Sequence, residues 1–197
     1  MKKWTILAPL GLAAGAAALL LMKKKGAKAA SAAKEAEAKK TPPANWQTGS
    51  YSFISGYQNA ATVELRLGYD GDKFSFAVVS EDFLSYSSDS HVALVQGEDL
   101  SLQLEYAAYF TGENFAAHCA SLAEKHKSFA PVRYGSVDAV KYLEGDNLFF
   151  CVHIPEDEHS YVQVLVFKDK GNDTPLPELA KDPDLSAMLE SIRFERH

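Results

Sequence analysis

Residues 62–78 read TVELRLGYDGDKFSFAV. Val63, Leu65 and Leu67 alternate with Thr62, Glu64 and Arg66, and Phe74, Phe76 and Val78 alternate with Lys73, Ser75 and Ala77. A period of two sends successive side chains to opposite faces, so each run predicts a strand with one buried face. Between them Asp70-Gly71-Asp72 predicts a hairpin turn, because glycine and aspartate tolerate left-handed backbone.

The same reading extends in both directions. Tyr51 and Phe53 alternate with Ser50 and Ser52, and His91–Val95 is joined to Leu100–Tyr106 through Gln96-Gly97-Glu98-Asp99. From Glu113 to Lys127 the period changes: Phe115, Cys119, Leu122 and His126 recur at spacings of three and four, the stripe of an amphipathic helix. Strands return at Val137–Leu143 and Leu148–Ile154, linked by Glu144-Gly145-Asp146-Asn147, and again at Tyr161–Phe167. Asp182-Pro183-Asp184 supplies an N-cap, a proline at the first helical position and an early negative charge, so a helix runs to about Glu190. Ile192–Phe194 reads as a short closing strand. Antiparallel strands interrupted by two helices predict an α+β domain, with an antiparallel sheet of about six to eight strands covered by two helices.

The domain is expected over residues 45–197, because the first 44 residues have a different composition. Residues 4–22, WTILAPLGLAAGAAALLLM, carry no charge and as a helix would span about 28 Å, the hydrocarbon thickness of a bilayer. This predicts a transmembrane anchor over 1–22. The competing reading is a cleaved signal peptide ending near Ala30-Ser31-Ala32, but a cleavable apolar core is shorter and Lys23, Lys24 and Lys25 follow directly. Residues 23–44 form an Ala/Lys-rich helical stalk or linker, closed by Pro42 and Pro43. Gly11 and Gly15 make a G-x-x-x-G pair that would let two membrane helices approach as a homodimer. The positive-inside rule favours a cytoplasmic domain, since lysines crowd the stalk. The domain's own scarcity of lysine favours the opposite side.

Charge narrows the partners. Residues 1–44 hold nine lysines against Glu35 and Glu37, net +7, while residues 45–197 hold 11 Lys and Arg against 24 Asp and Glu, net −13. A domain that negative repels phosphate backbones, which argues against nucleic acid and points toward basic protein surfaces. Its acids gather in turns: Glu98 and Asp99, Glu144 and Asp146, then Glu156, Asp157, Glu158 and His159. The residues singled out for partner binding are Glu156, Asp157, Glu158, His159, Glu98 and Asp99. If these tips converged at one end of the sheet, their potentials would sum.

No nucleophile elbow, phosphate loop, dinucleotide fingerprint, C-x-x-C or H-E-x-x-H occurs in the sequence. No catalytic residue, cofactor or metal site is therefore assigned. Cys119 lies on the helix stripe and Cys151 in a strand, Phe149-Phe150-Cys151-Val152, that reads as covered on both faces, so both thiols are expected to be buried. Surface tyrosines such as Tyr86, within Ser85–Ser88, leave room for a carbohydrate- or envelope-binding face, and scattered carboxylates for a motif-free hydrolase site.

From Lys73 to Phe194 the order of elements resembles the PsbP-like superfamily of α/β/α sandwich domains. The likeness rests on KFSFAVV, the helix ENFAAHCASLAEKH, the hairpin YGSVDAVKYLEGDNLFFCVHI and the closing MLESIRF. It implies a non-catalytic domain that binds proteins or assists assemblies. It brings no catalytic residues and also favours an exported setting.

Overall fold

A computed structural model of the chain describes residues 43–55, 60–80, 91–108, 114–168 and 171–197. These belong to one compact unit, Thr41–His197. The anchor at 4–22, with Gly11 and Gly15, and the stalk up to residue 42 lie outside the described residues. Among the described residues, no helix is long and apolar enough to cross a membrane.

The fold class differs from the α+β expectation. Strands take up 56% of the described residues and helices 18%, in two antiparallel sheets of three and seven strands. The smaller sheet has the order β1 (Trp46–Ser55), β2 (Ala61–Asp70), then β10 (Arg193–Arg196). The larger begins with β3 (Phe74–Ser80), β4 (His91–Gly97) and β5 (Leu100–Ala108). It continues through β9 (Ser160–Lys168), β8 (Asn147–His153), β7 (Val137–Glu144) and β6 (Ala130–Tyr134).

The correction turns on Asp70-Gly71-Asp72. It does not fold β2 back on β3: β2 pairs with β1 and β10, and β3 with β4. The turn is instead a corner that carries the chain from one sheet to the other. Asp70 closes it twice, its carbonyl accepting from Lys73 N–H (3.1 Å) and its Oδ1 from Asp72 N–H (3.1 Å). Gly71 donates its N–H to the Asn45 carbonyl at 2.8 Å. Left-handed backbone is found instead at Gly135 and Gly145, in the β6–β7 and β7–β8 turns.

The main core lies where the inner face of the large sheet meets the small sheet. Leu65 and Leu67 of β2, Leu102 and Leu104 of β5, Phe150 of β8 and Val164 of β9 are fully buried there. The helix α3 (Pro183–Ser191) adds Leu185, Met188 and Leu189, and the short α2 (Leu176–Leu179) adds Leu179. Asp182 caps α3, accepting from Asp184 N–H and Leu185 N–H. The helix α1 (Phe115–Lys125), capped by Asn114, lays Cys119 and Leu122 on the outer face of the large sheet, against Val140, Tyr142, Cys151 and Tyr161. β8 is thus covered on both faces, with Leu148, Phe150 and Val152 inward and Phe149 and Cys151 outward.

Candidate functional site

The loop between β8 and β9 carries four of the residues singled out above. Pro155 and Glu156 form a tight turn closed by Asp157 N–H donating to the Ile154 carbonyl at 3.1 Å. Glu156 adopts φ 66° and is, among the described residues, the one non-glycine residue in the left-handed region. The acid run is not uniformly solvated. Glu156, Glu158 and His159 are exposed, whereas Asp157 is buried, with 5% of its surface accessible.

Asp157 faces inward because three donors converge on it. Ser55 of β1 and Ser160 of β9 both donate their hydroxyls to Oδ2, and His159 N–H donates to Oδ1 at 2.9 Å. Burial pushes the carboxyl up, but the hydrogen bonds from Ser160, Ser55 and the His159 amide, helped by Arg196, outweigh it and hold it below the usual aspartate range. Glu158 fixes the loop from the other side, its carbonyl accepting from Phe115 N–H at the start of α1 (2.9 Å). One carboxylate therefore ties both sheets together beneath an exposed acidic turn.

The acidic tips do not all converge. Glu98 and Asp99 lie between β4 and β5 and Glu144 to Asp146 between β7 and β8, at the end of the large sheet where Leu100 faces Lys168 and Leu148 faces Val166. Glu156 to His159 lead into Ser160, which faces Ala108 at the other end. The nine residues of β9 separate the two groups by about 27 Å. A Debye length of about 8 Å at physiological salt leaves little coupling across that gap.

A second cluster lies beneath α1. Cys119 and Cys151 are both buried, and neither is in a disulfide. Burial pushes each thiol up to about 12, and the nearby Cys119 adds to the rise at Cys151. Such thiols stay protonated near neutrality and are poor nucleophiles. His118 Nε2 lies 3.8 Å from Cys151 Sγ, and its ring stacks on Tyr161. His126 packs on Tyr142, and His153 on Phe115. These three histidines thus serve as aromatic packing between helix and sheet.

On the small sheet, ligand atoms of Glu64, Glu195 and His197 lie within 4.8 Å of one another. Arg66 already bridges the two carboxylates at 3.1 Å each. The hydrogen bond from Arg66 leads in lowering Glu64 to about 2. The guanidinium supplies the positive charge that a cation would bring. Every described tyrosine is buried or half-buried, and Tyr86, on which the carbohydrate reading leaned, lies outside the described residues. Comparisons with protein-family models, curated proteins and solved structures find no match to this chain.

Proposed function

We propose that this is a non-catalytic binding module, tethered to a membrane by the apolar segment 4–22, that recognises a protein partner through the loop 154–159. The reading rests on one observation: Glu156 is exposed in a left-handed backbone that glycine would adopt more cheaply. Non-glycine residues in that region persist where the surroundings over-determine them, and such positions gather at binding and switching sites. Here the surroundings are the Asp157 bonds to β1 and β9 and the Glu158 bond to α1. Rigid elements thereby present Glu156, Glu158 and His159 together, the arrangement that lowers the entropic cost of recognition. The chemistry presented suits a basic protein surface. Asp157 positions the loop and does not touch the partner.

The test is a photocrosslinking residue placed at Glu158 in the full chain in its own membranes, and separately at Glu98 at the far end. A discrete protein adduct from position 158, absent from position 98, is expected. Adducts from 98 alone, or adducts from 158 to glycan only, would overturn the assignment.

A further inference from the structure

β3 ends the large sheet and, among the described residues, leaves one side of its backbone without a strand partner. Its sequence, Phe-Ser-Phe-Ala-Val-Val-Ser, has no charge and no proline, and it pairs with β4 in unbroken register from Phe74–Gly97 to Ser80–His91. Folded proteins usually blunt such edges with charge, proline, bulges or brevity. The other edges here follow that rule or are polar. β6 carries exposed Pro131 and Arg133, β10 has four residues of which three are charged, and β1 shows Thr48, Ser50 and Ser52 to solvent. On β3, Val78 is 44% exposed and Val79 37%, so both faces of the strand bring aliphatic carbon to the rim. Ile54, 68% exposed, lies near the end of β1.

We propose that the β3 edge is an interface between two copies of this chain, formed by antiparallel pairing of β3 with β3 about a two-fold axis through Ala77. The charge distribution selects this occupant. At −13 over residues 45–197, two copies repel wherever their acidic turns meet, and the low-cost approach is along a surface without charge. β3 and its neighbour β4 form that surface: residues 74–80 and 91–97 contain no Asp, Glu, Lys or Arg. Centred on Ala77, the pairing sets Phe76 opposite Val78, Ser75 opposite Val79 and Phe74 opposite Ser80. No cross-strand pair is like-charged, and the aromatic–aliphatic pairs are favourable. The symmetry closes at two, and the joined sheets lose both exposed β3 edges.

The experiment uses the full chain in membranes with Ala77→Cys, an exposed position on an uncharged strand; Cys119 and Cys151 are buried and stay out of the reaction. Mild oxidation with diamide should give a disulfide-linked dimer, as two-fold-related residues at the axis come within the roughly 7 Å that a disulfide spans. Thr48→Cys on the outer face of β1 should give none. Adding Val78→Lys and Val79→Lys to Ala77→Cys should reduce its crosslink at least tenfold without lowering the unfolding midpoint, whereas adding Gly11→Leu with Gly15→Leu should leave it unchanged. Absence of a dimer from Ala77→Cys, or its persistence with both lysines in place, overturns the proposal. An introduced thiol that is shielded from maleimide in membranes yet forms no dimer also overturns it and assigns the edge to a different partner.

Discussion

The Ser55 hydroxyl donates to the buried carboxylate of Asp157, 102 residues further along the chain, and this bond joins the end of β1 to the loop that leads into β9. The two sheets are thereby linked through a charged group as well as through their apolar faces. Asp157→Ala removes the carboxylate that accepts from two hydroxyls and one amide, leaving the hydroxyls only each other at 3.2 Å, and should cost about 2 kcal/mol, within the range for hydrogen bonds to a charged group. Urea denaturation at pH 7 measures it.

The same carboxyl predicts an acid limb. Its folded-state pKa lies below the ordinary value, so its contribution is complete above the unfolded value near 4 and vanishes as pH falls through the folded one. The stability difference between wild type and Asp157→Ala should therefore be constant from pH 7 to about 5 and shrink below about 4. A difference that persists unchanged at pH 2 would show that the contribution does not depend on the charge.

An alkaline limb should mirror it. Burial raises Cys119, Cys151, Tyr134 and Tyr161 to about 12. A group that ionises more easily when unfolded contributes stability below its unfolded pKa and loses it as pH rises toward the folded one. Stability should fall between about pH 9 and 12, and less steeply in Cys151→Ala, relative to that variant's own value at pH 7. Equal slopes in the two proteins would count against thiol burial as a cause.

Gly49 tests how the sheets touch. A Cβ on Gly49 of β1 would overlap the ring of Phe76 on β3, whereas one on Gly145 would meet nothing within 4 Å. Gly49→Ala should cost about 1–3 kcal/mol through overpacking, and Phe76→Leu should relieve part of that loss. At Gly145, φ 57° makes the penalty purely conformational, about 1 kcal/mol, and no second-site change should recover it.

Local alternation and capping were legible in the sequence, and partner choice was not. Asp182-Pro183 marked the start of α3, and the Glu144–Asn147 turn does join β7 to β8, since both depend on neighbours in sequence. Asp70-Gly71-Asp72 announced a turn but not that its flanking strands enter different sheets, which depends on β2 finding β1 and β10. β6 is hidden in the sequence because Pro131 breaks the pattern of a strand, and only its place at an edge makes that proline tolerable. In the candidate site the acidity of 156–158 was visible. The inward turn of Asp157 was not, because its partner Ser55 is an ordinary serine until the fold brings the two together.

Glu156 separates the demands of the fold from those of recognition. Its φ of 66° costs a side-chain-bearing residue about 1 kcal/mol relative to glycine. Glu156→Gly should therefore raise stability by roughly that amount, less the extra entropy that glycine gives the unfolded chain. Glu156→Ala removes the carboxylate but keeps the strained backbone, and should leave stability within about 0.5 kcal/mol of wild type. Both remove the charge, so if the carboxylate makes the contact, both should weaken the protein adduct formed from position 158. If the loop's fixed shape also matters, Glu156→Gly should weaken it more than Glu156→Ala, despite being the more stable protein. Paired urea-denaturation and crosslinking measurements on the two variants decide it. Unchanged crosslinking in both would remove Glu156 from the recognition surface, and a destabilised Glu156→Gly would show that the left-handed backbone is not strained.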